Sequence, residues 1–138
     1  VSALSATHTW TADSRHIYID EGSIAKGLGG FIQFNFAHPE NVDGFIQENL
    51  TLWKPYFEKT MDSMGMVNWG VGRKLAPLGA NWAKVSTWDM FNTLEDLMKY
   101  RIGYKLPADL LKKSKMKDHN PDGFMMTPIF QMIANSAQ

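Results

Sequence analysis

"LWKPYFEKTMDSMGMVNWGVG", residues 52–72, holds the reading on which the fold turns. Just before it, "PENVDGFIQENLTLW" at 39–53 opens as helices open, with Pro39, Glu40 and Asn41. Val42, Phe45, Ile46, Asn49, Leu50 and Trp53 then follow one helical stripe. Pro55 interrupts this pattern. In a helix interior a proline removes a hydrogen bond and its ring clashes with the preceding turn, at a cost of about 3 kcal/mol. In the first turn of a helix it is comfortable. The sequence therefore predicts a break or sharp kink near Lys54, with Pro55 opening a second short helix, "PYFEKTMDSM", that ends at Gly65. Directly after that glycine the period changes to two, with Val67, Trp69, Val71 and Arg73 alternating against Met66, Asn68, Gly70 and Gly72. The stretch reads as a helix followed by a strand.

Working outward, "FIQFNFAH" at 31–38 is the clearest strand, with Ile32, Phe34, Phe36 and His38 on one face and Phe31, Gln33, Asn35 and Ala37 on the other. "APLGAN" at 76–81 supplies hairpin turn residues. In "WAKVSTWDM", 82–90, Trp82, Lys84, Ser86 and Trp88 alternate with Ala83, Val85, Thr87 and Asp89. Asn92 or Thr93 then caps "TLEDLMKYRIG", which has Glu95 and Asp96 near its positive end and Lys99 and Arg101 near its negative end. "PADLLKKSKMK" reads as one more short helix, "DHNPDG" as a turn and "FMMTPIFQMIA" as a last strand. Pro128 cannot donate to a ladder, so that strand belongs at an edge or is bulged there.

Residues 1–29 are the least patterned and read as a lead-in to a single α+β domain over 30–138. They hold a short strand candidate, "HIYI" at 16–19, and "KGLGG", which lacks the flanks of a phosphate loop. The order β-α-β-β-α-β is the split βαβ, or ferredoxin-like, arrangement. It predicts one antiparallel sheet with both helices on a single face, and a second copy of the chain covering the other.

Composition bounds the function classes. The chain has 138 residues, 44% hydrophobic and 12% aromatic, which suits one globular domain with a real core. Fourteen basic residues balance fourteen acidic ones, so no global field favours nucleic acid or an anionic membrane. No apolar run approaches the roughly 20 residues of a membrane-spanning helix. With no cysteine, disulfides, thiolate catalysis and cysteine-ligated metals are excluded. "VSALSA" at 1–6 has the small-residue character found after a cleaved signal peptide, an expectation of export that stands level with a cytoplasmic one.

A resemblance can be stated on particular residues. Trp53, Lys54 and Pro55 end the first helix, Trp69 and Gly70 lie in the second strand, and Trp88 with Asp89 leads toward the second helix. This run, over roughly residues 30–100, resembles small uncharacterised bacterial proteins of the dimeric α+β barrel superfamily. The resemblance implies a homodimer and leaves activity open, because that superfamily spans monooxygenases, haem enzymes, isomerases and proteins of no known activity. The chain departs from the group at Asn68, where glycine is usual, and in its long N-terminal segment.

No nucleophile–base pair or acid pair stands out. The four histidines, His8, His16, His38 and His119, have no ligand spacing and do not predict a metal site. A haem needs a single axial histidine, but no feature selects that or any other cofactor. The polar residues inside strands carry the sharper reading. Gln33, Asn35, Asn68, Lys84 and Ser86, with His38 at a strand end, are the ligand-binding candidates, against the plainer reading of a solvated sheet face. Trp53 and Trp69 read first as core or dimer interface ahead of ligand contact, and the nine methionines as core filling. "KKSKMK" at 112–117 reads as a solvated helix face, and the glycosylation triplet at Asn49 falls in a helix, where its use is not expected. Two function classes remain: a small-molecule binder or enzyme with its pocket between sheet and helices, and a non-catalytic assembly protein that uses the sheet face to oligomerise.

Overall fold

Alternation, caps and prolines together place most of the secondary structure. A computed structural model describes residues 17–76 and 82–133. It is an α+β structure built on a six-stranded antiparallel sheet in the order β1-β3-β4-β2-β5, with β6 also paired to β2. The strands are β1 (Ile17–Ala25), β2 (Phe31–Ala37), β3 (Met66–Ala76), β4 (Val85–Phe91), β5 (Phe124–Met126) and β6 (Ile129–Gln131). The α-helices are α1 (Val42–Glu48), α2 (Lys54–Thr60), α3 (Leu94–Gly103), α4 (Ala108–Lys113) and α5 (Met116–His119). The proposed turn over residues 77–81 lies outside the described residues.

The break expected near Lys54 is absent. Between α1 and α2 the chain stays helical through a π-helical segment, Asn49–Trp53, and both Trp53 and Lys54 keep right-handed helical dihedrals. Widening the ladder removes the conflict that predicted a break. Lys54 N–H reaches back five residues to the Asn49 carbonyl, and Pro55, with no N–H to place, falls in the first turn of α2. Asn41 caps α1 through Gly44 N–H at 2.9 Å. A 3-10 turn, Met61–Met64, ends the run at Gly65, whose φ of 75° is the left-handed conformation that glycine adopts without penalty.

The segment 17–25, assigned above to the lead-in apart from its first residues, is a nine-residue edge strand. It pairs antiparallel with β3, and a register shift between Asp20 and Gly22 turns its later residues toward the helices. Arg73 bonds both Glu21 at 3.1 Å and Asp43 at 2.8 Å, tying β1, β3 and α1 together. A second shift, between Met66 and Asn68, interrupts the alternation of β3 and puts both Met66 and Trp69 in the core. At the far edge Pro128 divides the last strand into β5 and β6, as its missing N–H requires.

The helices pack on one sheet face. Phe45, Ile46, Phe57, Met61 and Leu97 from the helical side meet Ala37, Met66, Trp69, Val71, Val85 and Phe91 from the strands in one buried cluster. The opposite face carries aromatics. Phe34 stacks on Phe36 at 6.0 Å and meets Phe130 edge-on at 5.7 Å. The Trp88 indole lies over Gly70, where an added Cβ would collide with it. Among the described residues no helix is long and apolar enough to cross a membrane.

Candidate functional site

The register of β2 against β4 decides what faces the helices. Gln33 pairs with Asp89 and Asn35 with Thr87, so four polar side chains occupy the middle of a face whose ends are Phe31, Ala37, Val85 and Phe91. All four are buried, Asp89 to 2% exposure. Buried polar groups need partners, and these supply one another. Arg101 Nη1 donates to Gln33 Oε1 at 2.8 Å and to the Thr127 carbonyl at 2.7 Å. Gln33 Nε2 donates to Asn35 Oδ1 at 2.7 Å. Asn35 Nδ2 donates to Asp89 Oδ2 at 2.7 Å and to Thr87 Oγ1 at 3.0 Å. Every amide in this chain points its N–H toward Asp89, and a cation stands at the far end. Each bond polarises the next in the sense that stabilises a carboxylate.

Above this polar floor lies a cavity of about 570 Å³. Phe45, Trp53, Phe57, Trp69, Tyr100 and Tyr104 form much of its wall. The exposed residues Arg101 and Phe124 also line it and so mark its mouth. Trp53 is held by Glu48, whose Oε2 accepts from the indole N–H at 2.8 Å. The same carboxylate accepts from Ser114 Oγ at 2.8 Å and Lys115 N at 2.5 Å, and so anchors the segment between α4 and α5 beside the cavity.

Tyr100 and Tyr104 are four residues apart, the second directly after α3, and their rings lie 5.6 Å apart. The Tyr104 hydroxyl is hydrogen-bonded to that of Tyr56, and Tyr100 OH approaches Asp89 Oδ1 at 3.4 Å. Burial dominates the electrostatics here. It pushes Tyr100 well above the usual phenol range, helped by the Asp89 charge, and raises Tyr56 to about 12, helped by Tyr104. Burial also lifts Asp89 to about 6, against the opposing hydrogen bonds from Asn35 and Tyr100. At neutral pH the site therefore presents neutral Tyr56 and Tyr100 phenols and a carboxyl group that is mostly ionised but ready to take up a proton.

The six residues singled out from sequence do not converge. Gln33 and Asn35 line the cavity. Asn68 is on the opposite face, where its Oδ1 accepts from Trp88 Nε1 at 3.0 Å. Ser86 is paired with Phe36 and Gly72 and is buried on that opposite face too, its hydroxyl bonded to the Thr87 carbonyl at 3.1 Å. Lys84 is exposed, just before β4 begins, and its backbone rather than its side chain joins the sheet. His38 directly follows β2 and is not among the residues that line the cavity. The separation has a simple cause: alternation gives only the parity within a strand, and the register sets Asn35 against Thr87 and Trp69 against Asp89, which leaves Ser86 and Asn68 on the other face.

Sequence reasoning passed over Asp89, Tyr100 and Arg101. Asp89 shares its parity with Val85, Thr87 and Phe91, none of them charged, and a lone charged residue on such a side is the signal for a buried acid. Among the described residues no group of His, Cys, Asp and Glu is placed to hold a metal ion. Comparison with known proteins finds no matching family model, no curated relative and no similar solved structure.

Proposed function

We propose that the chain binds a small, flat, largely apolar molecule bearing one polar group, in the cavity between sheet and helices. One observation carries this reading: an aromatic-walled cavity of about 570 Å³ sits directly on a buried, directed hydrogen-bond chain that ends at Asp89. Ligand sites run to roughly 300–1,000 Å³ and combine apolar walls with a few fixed polar groups. Aromatic walls suit a planar ring, and the polar floor would fix its orientation.

The architecture supports a ferredoxin-like assignment. Leaving aside β1, the strands follow the order β5-β2-β4-β3, with a helical connection from β2 to β3 and another from β4 to β5. That is the split βαβ order, and it agrees with the dimeric α+β barrel resemblance noted from sequence. A homodimer through the aromatic sheet face is the assembly this suggests. A second reading, in which the chain serves only to assemble, draws on the same Phe34, Phe36 and Phe130 cluster.

A fluorescence and thermal-shift screen of planar aromatic and alicyclic carbonyl compounds and phenols separates the two readings. Trp53 and Trp69 line the cavity, so a seated ligand quenches their emission. At a hundredfold excess over Kd it adds about 2.7 kcal/mol of stability. The assembly reading expects neither effect. Sedimentation at micromolar concentration tests the dimer, and a stable monomer would rule it out.

A further inference from the structure

We propose that Asp89 and Tyr100 form a proton-transfer pair, Asp89 removing a proton from the carbon next to a ligand carbonyl while Tyr100 donates a hydrogen bond to the carbonyl oxygen. The substrate class is a flat, mostly apolar ketone, and the reaction is tautomerisation. This rests on the binding reading above and goes beyond it to the chemistry.

Geometry comes first. Asn35 occupies Asp89 Oδ2 at 2.7 Å, whereas Oδ1 has only the long 3.4 Å contact to Tyr100 OH. That contact is weak enough to yield to a ligand. The two oxygens are spaced to meet neighbouring atoms of one molecule, a carbonyl oxygen at the phenol and an α hydrogen at the carboxylate. Asp89 is the carboxylate lining the cavity, whose described lining includes no histidine, cysteine or lysine. The Asp89 carboxyl and the Tyr100 hydroxyl are thus the acid–base groups that face one another in it.

In the forward step the Asp89 carboxylate takes the α proton. The C–H pair moves into the bond to the carbonyl carbon, and the carbonyl π pair moves onto oxygen. The resulting enolate accepts the Tyr100 hydrogen bond, as a donor in a dry site should provide. Returning the proton from Asp89 to a conjugated γ carbon completes an isomerisation, and returning it to the α carbon completes an exchange. Atoms and electrons balance with no second reactant.

The surroundings fit this role. The groups facing Asp89 are Asn35 and, through it, Gln33 on β2, and Tyr100 on α3; Tyr104 and Tyr56 stand beyond Tyr100, and Arg101 acts through Gln33. Of these only Arg101 carries a charge near neutrality. Burial raises Asp89 to about 6, so at neutral pH the carboxylate is available as a base and is still basic enough to hold and return a proton.

The test follows loss of the α protons of 2-tetralone in D2O by NMR, with tryptophan quenching as an independent report of binding. Wild type should exchange these protons about a hundredfold faster than Asp89→Asn, with Tyr100→Phe about tenfold slower than wild type. Rates are compared at saturating 2-tetralone, set for each protein by its own quenching titration, and an Asp89→Asn rate equal to wild type would also overturn the proposal. The wild-type rate should rise with pH through about 6 and level off above it. If 2-tetralone quenches but wild type exchanges it no faster than buffer, proton transfer is overturned and binding stands. If no ketone in the screen quenches, both fall.

Discussion

Asp89→Asn should stabilise the folded protein at neutral pH, and the gain should disappear in acid. Asp89 is fully buried, and its folded-state value of about 6 lies above the ordinary 3.8. A carboxyl raised on folding binds more protons folded than unfolded between those two values. Its contribution is therefore most favourable below 3.8 and is lost as pH rises through about 6. Two units at 1.36 kcal/mol each give about 3 kcal/mol over the full span, of which about 2 falls between pH 4 and 7. Asparagine keeps the shape, can accept from Asn35 through its oxygen and can donate to Tyr100, so the variant removes the ionisation and little else. Urea denaturation of both proteins at pH 4, 5, 6 and 7 gives the difference curve, in which exposed groups common to both cancel. The expected curve rises by about 2 kcal/mol toward neutrality in favour of the variant and flattens above pH 6. A difference that stays constant with pH would refute the argument, because Asp89 would then have the same proton affinity folded and unfolded.

Glu48→Ala should cost about 2–4 kcal/mol, since Trp53, Ser114 and Lys115 all lose a partner. Limited proteolysis should show faster cleavage between α4 and α5, and an unchanged cleavage pattern would count against the anchoring role. Pro55→Ala should change stability by less than about 1 kcal/mol in chemical denaturation, because Pro55 is exposed and in the first turn of α2. A loss well beyond that would mean the π-helical segment depends on the proline ring.

Much of the fold was legible because it depends on short-range rules. Asn41 and Thr93 begin helices, and Gly65 ends one, where capping chemistry requires. The alternation of β2 gives its buried face residue by residue, and Pro128 marks the split edge strand. What escaped depends on longer-range pairing. "IYIDEGSIA" has no apolar period of its own, because an edge strand with a register shift buries only scattered positions, and it forms only because β3 offers a partner. The π-helical turn escaped because a proline in a helical stripe has two solutions, breaking the helix or widening it, and local sequence does not choose between them.

The site was half legible for the same reason. Gln33 and Asn35 were found by parity within β2, but the residues that give them meaning lie on β4 and α3. The amides alone would be neutral structural links. Their importance comes from orientation: Arg101 fixes the Gln33 oxygen, Gln33 fixes Asn35, and Asn35 is left with its N–H facing Asp89. Reversing any amide would place two donors or two acceptors face to face, so the chain is held in one sense by its charged ends. The network thereby draws the carboxyl toward ionisation while burial draws it toward neutrality, and burial prevails, lifting Asp89 to about 6. A purely structural core would be better served by an apolar residue at this position, which would avoid the desolvation cost altogether. Keeping an acid there, in contact with a cavity, is the arrangement expected of a site that handles a proton.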